Sequence, residues 1–262
     1  MPRCYRLLLL LTILLPSGCA VYVPMQGAAP DITRRGQLEA TGSYSLTNRF
    51  DASVAYSPLP HLLVRAAASR KGTRREPASP DSSQYSHVSQ YELSLGTYWL
   101  LGERGLLGAL AGYGHLRTDA RFYGESGTLL IPAYQLPHVY DGTYHKLLGE
   151  VYGRFQISEP VSVGATYRLA NLYLTGLTDQ GQPLAPSTVL RSELMLFARF
   201  RPYTIPEGLL QFQVALGGSV MPGYQTRVAY YLSDASRPFR IGQSYFMVGV
   251  SFYPSAWWQQ PR

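Results

Sequence analysis

The five histidines are where acid–base chemistry would have to start in this sequence. His61 falls in a short turn, whereas His87, His115, His138 and His145 fall in or beside two long connecting segments. His115 or His145 could pair with Asp119 or Asp141 as a general base, because all four flank one long hairpin; such a pair would suit a rim-located hydrolase or acyltransferase. No nucleophile elbow or other tight spacing accompanies them, so they read as polar groups in solvated loops and no enzymatic activity is expected. Histidines drawn from separate loops make a poor ligand set, and neither a metal nor another cofactor is expected.

The two cysteines, Cys4 and Cys19, both lie in the first nineteen residues, which excludes a disulfide framework or a cysteine metal cage in the rest of the chain. The basic run Arg70, Lys71, Arg74 and Arg75 reads either as a solvated loop or as a contact for lipopolysaccharide phosphates through bidentate guanidinium groups. Nucleic acid is not an expected partner, since no basic motif is interleaved with stacking aromatics. Gly108, Gly112 and Gly114 do not form a phosphate loop; they relieve crowding, bend a strand or let a neighbouring side chain pack.

What must position these residues is a repeated two-residue period. Leu38, Ala40, Gly42, Tyr44 and Leu46 alternate with Glu39, Thr41, Ser43 and Ser45, and the same alternation recurs down the chain. It gives ten strands, with no convincing amphipathic helix after residue 18. The glycine-rich segment 105–117 does not resolve into two faces. The connections alternate short and long: tight at Thr47-Asn48 and Pro58-Leu59-Pro60, long at 71–87, short at 102–105, long at 118–143, short at 158–160, then 175–187, 202–207 and 223–240. In a meander every second connection emerges at the same end, so one end carries short turns and the other mostly long loops.

Composition narrows the class. Of 262 residues only 15% are charged, against 46% hydrophobic, with 21 tyrosines and 25 glycines; long disorder is excluded. Mean hydropathy is −0.08 and only the N-terminal segment is continuously apolar, which excludes a polytopic helical membrane protein. The polar face of the strands holds Glu39, Asp51, Arg65, Glu92, Glu150, Arg154, Arg168, Glu193 and Arg199. A face turned to water would be rich in lysine, yet only Lys71 and Lys146 occur, and arginine with carboxylate suits planar pairing in a confined space. These nine residues are therefore expected to form an ion-pair network in a lumen. Tyr44, Tyr56, Trp99, Phe155, Phe200 and Phe252, near strand ends on the apolar face, would form girdles at the two bilayer interfaces. The expected fold is all-β: a closed antiparallel up-and-down transmembrane barrel of about ten strands, monomeric, with a lumen too full for wide diffusion. A soluble periplasmic lipocalin-like carrier would show the same alternation with its apolar face turned inward.

The N-terminus reads as an export signal over residues 1–18, with Arg3 and Arg6 ahead of an apolar run. It ends Leu15-Pro16-Ser17-Gly18-Cys19, which resembles a bacterial lipobox, with Pro16 where leucine is usual. The stretch Cys19-Ala20-Val21-Tyr22-Val23-Pro24, then Pro30 and Gly36, resembles small outer-membrane β-barrel lipoproteins of the Bacteroidota type. The resemblance implies acylation at Cys19, with palmitate as an acyl group, and an N-terminus on the periplasmic side. No acidic run of the kind found in surface-exported members follows Cys19, so the anchor is expected in the periplasmic leaflet. Outer-membrane lipid and the barrel-insertion machinery are the implied partners. The expected organisation is a tether over 19–35, a barrel over 36–254 and a tail over 255–262, with Trp257 and Trp258 either at the periplasmic interface or in a free appendix. The expected role is structural or interactive, through long extracellular loops.

Overall fold

The computed structural model describes residues 22–25, 29–75, 84–123, 137–184, 188–202, 209–223 and 243–255. Residues 1–18, read above as an export signal, lie outside them, as do Cys19, Trp257, Trp258 and most of the 223–240 connection.

Ten long strands follow one another in the chain: β1 (Leu38–Ser45), β2 (Arg49–Tyr56), β3 (Leu62–Arg75), β4 (Gln84–Leu101), β5 (Gly105–Tyr123), β6 (Pro137–Gln156), β7 (Val161–Leu174), β10 (Thr188–Phe200), β11 (Leu210–Val220) and β12 (Gln243–Phe252). Between β7 and β10 sit two two-residue strands, β8 (Thr178–Asp179) and β9 (Gln182–Pro183). Each long strand pairs antiparallel with its neighbour in sequence, and β1 pairs with β12, so the sheet closes without an edge. Closure is what a strand-built membrane span requires, because hydrocarbon offers no partner to an edge amide. Positive φ at Asn48 and Gly102 lets the chain reverse within a few residues at two of the tight turns.

The inside-out assignment holds. Leu93, Leu95, Leu147, Val151, Leu194 and Val214 are exposed, while Arg65, Glu92, Glu150, Arg168 and Glu193 are buried. Tyr56, Trp99, Phe155, Phe200 and Phe212 crowd the outer face at the short-turn end; Tyr44, Phe50, Tyr91 and Tyr113 do so toward the other. An apolar belt flanked by aromatic rings, around a polar interior, is the build of an outer-membrane barrel.

Three differences from the sequence reading have physical causes. In β5 the inward side chains include Leu106, Leu110 and Leu116 while Leu107 faces out, so both faces are apolar and the period is erased. Much of the segments 71–87 and 118–143 is strand rather than loop: Arg75 pairs with Gln84, and Tyr123 with Pro137. Finally, residues 19–35 were expected to be a tether between the anchor and the folded part. Instead Tyr22, Val23, Met25, Ala29, Asp31 and Ile32 are buried inside the barrel, because the lumen offers both apolar seats and donors for the backbone of this segment.

Candidate functional site: a lumen filled by ion pairs and by the N-terminal segment

At mid-height the lumen is bridged by a connected set of charges. Arg65 on β3 donates to both carboxylate oxygens of Glu150 on β6, each at 2.7 Å. Arg168 on β7 donates to the same carboxylate at 2.6 and 3.0 Å, to Glu92 at 3.2 Å, and lies 3.9 Å from Glu193. Lys146 completes the set by pairing with Glu92 and donating to Gln90 at 3.1 Å. Charges so deeply buried are tolerated only when each meets an opposite charge or further hydrogen bonds, and here they do both.

Two smaller groups lie above and below. Toward the short turns, Asp31 meets Arg154 at 2.9 Å and Arg199 at 3.9 Å, while Arg199 also lies 3.7 Å from Glu39. Toward the long hairpins, Arg49 pairs with Asp51 at 2.9 Å. Arg191 donates to the Ser219 hydroxyl at 3.0 Å, and that hydroxyl donates to Glu193 at 3.3 Å. All nine residues expected in the lumen thus point inward and take part in ion pairs. The sequence reading did not include Asp31, Arg49, Lys146 or Arg191. Parity alone would have added Lys146, whose neighbour Glu150 lies four residues on, and Arg191, two residues before Glu193; Asp31 carries no periodic signal.

The N-terminal segment is held mainly by its backbone. Its carbonyls at Tyr22, Val23, Pro24, Met25 and Ala29 accept hydrogen bonds from the side chains of Gln243, Gln90, Arg49, Arg168 and Arg199, respectively. Asp31 receives Gln211 at 3.2 Å and donates its own amide to Glu39 at 2.6 Å. Buried carbonyls without strand partners need such donors, and guanidinium groups supply several at once. Apolar side chains add to the hold: Tyr22 and Val23 pack with Leu116, Tyr144 and Leu172, and Ala29 and Ile32 pack with Leu63, Tyr98 and Phe197. Inward glycines make room for the rings. A side chain at Gly108 would overlap Tyr152, one at Gly164 would overlap Phe197, and one at Gly217 would overlap Tyr245.

The histidines lie elsewhere. His87, His115 and His145 fall on the outward parity of β4, β5 and β6, together with Asp119 and Asp141. His115 and His145 pair with each other across the strands, with ring centroids 5.1 Å apart; Tyr91 stacks on the first and the Tyr113 hydroxyl meets the second. Asp119 lies opposite Asp141, four residues along each strand from these histidines, so the considered base–carboxylate pairs do not assemble. His138 is the histidine with a carboxylate partner, Asp179 of β8, at 2.5 Å. His61 binds the Tyr98 carbonyl in its turn. No cluster of three or more potential metal ligands occurs among the described residues. Of the basic run, Arg70 is exposed on the outer face and Lys71 falls on the lumenal parity; the side chains of Arg74 and Arg75 lie outside the described set.

No family model matches the chain, and no curated protein matches it. Among solved structures, the translocator domain of the autotransporter NalP from Neisseria meningitidis aligns at 12% identity over 85% of this chain and 90% of that one, with a TM-score of 0.46. An outer membrane channel from Pseudomonas putida F1 aligns at 10% identity over 88% and 100%, with a TM-score of 0.40. The outer membrane protease OmpT from Escherichia coli aligns at 11% identity over 83% and 91%, with a TM-score of 0.39. The strand order, the apolar belt and the charged lumen together make this chain a closed ten-stranded outer-membrane β-barrel.

Proposed function

We propose that the protein is a closed, non-conducting outer-membrane lipoprotein with a structural or interaction role, anchored through Cys19 after cleavage of residues 1–18. The observation that carries this reading is the double filling of the lumen: the Arg65–Glu150–Arg168–Glu92–Lys146 bridge and the N-terminal segment beside it occupy the space a conduit would need. With the interior taken up by its own side chains, the barrel offers its long hairpins and its lipid-facing wall as the surfaces for other molecules.

On that wall, Arg70 and Arg117 flank Ser89 in one row of β3, β4 and β5. The row lies immediately beyond Tyr91, His115, His145 and Tyr173, on the side of the long hairpins. Exposed guanidinium groups just outside an aromatic girdle sit at headgroup depth, which supports contact with lipopolysaccharide phosphates.

The test is single-channel recording of the full chain in planar bilayers. A flat baseline is expected, and stepwise current through the unmodified protein overturns the closed reading. Incorporation of labelled palmitate, lost in Cys19→Ser, tests the anchor separately.

A further inference from the structure

The contacts of the N-terminal segment fix its direction. The Tyr22 carbonyl accepts from Gln243, the first residue of β12, at the long-hairpin end. The Tyr22 hydroxyl donates to Glu193 at 2.5 Å, and its ring lies 6.3 Å from that of Tyr144. The Pro24 carbonyl accepts from Arg49, which opens β2 at that same end. Further on, Ala29 meets Arg199, and Asp31 meets Glu39, Arg154 and Gln211, all near the short turns. The segment therefore runs down the lumen, and β1 then reverses and climbs the wall. From Tyr22 the way back toward the short turns is blocked by the mid-height ion pairs and by the segment itself.

We infer that the polypeptide upstream of Tyr22 leaves through the long-hairpin mouth, on the opposite side of the membrane from the start of β1 and the end of β12. In a barrel inserted with its short turns in the periplasm, that mouth opens at the cell surface. Cys19 is three residues before Tyr22, about 10 Å of extended chain. A lipid on Cys19, which rests on the lipoprotein reading above, is then placed on the outer side of the membrane and not in the periplasmic leaflet expected from the sequence. The exit itself does not depend on the lipid. Nor does it need a surface-export signal after Cys19, because folding of the barrel around the segment carries the chain across.

The test inserts an epitope between Ala20 and Val21 of the full-length protein, in intact cells and in cells with a permeabilised outer membrane. Matching epitopes in the 124–136 connection and in the 102–104 turn report the two faces. Heat-dependent gel mobility establishes that each variant is folded. The N-terminal epitope is expected to be reached together with the one at 124–136. An N-terminal epitope reached only together with the one at 102–104 overturns the inference, as does one reached in neither state, which would mean that the segment ends inside the lumen. Because the comparison is relative, it holds whichever way the barrel is inserted; reversed exposure of the two reporters would overturn the orientation alone. As a second measurement, p-benzoylphenylalanine at position 22 should crosslink to β6 or β10 peptides, identified by mass spectrometry. Absence of that crosslink in the folded protein also overturns the threaded path. Palmitate labelling of the tagged chain reports the lipoprotein reading independently.

Discussion

Arg65 and Glu150 stand on strands that are not neighbours, β3 and β6, and join the two sides of the lumen through a pair of parallel 2.7 Å hydrogen bonds. Their union is shared, since Arg168 occupies the same carboxylate from β7. Removing Arg65 leaves Glu150 held by Arg168 alone, and removing Glu150 leaves Arg65 without its paired carboxylate, whereas removing both spares that unpaired guanidinium while Arg168 keeps Glu92 and Glu193.

Arg65→Ala is accordingly expected to destabilise the barrel by about 3–5 kcal/mol. Glu150→Ala should cost at least as much, because it leaves Arg65 without its paired carboxylate and takes from Arg168 one of its three. The double variant should lose less than the sum of the two. Urea unfolding in phospholipid vesicles measures all three, and strictly additive losses would contradict the bridging role.

The outward face makes a second prediction. Leu93 is 60% exposed in mid-strand and Leu46 is 72% exposed in a turn. For a water-exposed surface, arginine at either position would be nearly neutral. Facing hydrocarbon, Leu93→Arg should cost about 2–4 kcal/mol while Leu46→Arg costs well under that. Equal effects in vesicle-based unfolding would argue against the membrane assignment.

Gly108 gives a third. Tyr152 lies directly opposite on β6, and its ring occupies the space that a Cβ at Gly108 would need. Gly108→Val should destabilise by about 1–3 kcal/mol through overpacking. Adding Tyr152→Ala should recover part of that loss, a coupling that the unfolding midpoints of the two variants would show.

Beyond the end of β7, where β8 takes its place beside β6, Asp179 holds His138 through one oxygen and the Val139 amide through the other, at 3.0 Å. Asp179→Ala frees both groups and should release the β8–β9 hairpin. Limited proteolysis within 175–187 is expected to quicken about tenfold, corresponding to roughly 1.4 kcal/mol of lost local stability, with the heat-dependent gel shift of the barrel unchanged.

The strand count and the direction of the two faces were legible because most strands carry one apolar and one polar face, as Glu150 and Val151 do side by side. Where both faces are apolar, as at Leu106 and Leu107, the alternation that reports orientation vanishes. The lumenal charges could be read from arginine and carboxylate on one parity, and their partners could not. Pairing across non-adjacent strands depends on barrel curvature, which no spacing encodes. Least visible was the threaded segment. Pro24 and Ala29 are recognised through carbonyl oxygens, and every residue type has one, so no pattern in residues 22–32 announces their seat.

Strand length leaves the rim of the barrel uneven. A tilted crossing takes about nine to eleven residues, yet β4, β5 and β6 run to 18, 19 and 20, while β1 and β2 have eight each and meet in a tight turn. One flank thus stands as a tall parapet, and the opposite flank stops near the level of the bilayer. Arg49, which grips Pro24, begins directly at that low sill. Among the described residues, the wall around the mouth is lowest on the β1–β2 side, where a molecule moving in the plane of the membrane meets the least of them before Pro24.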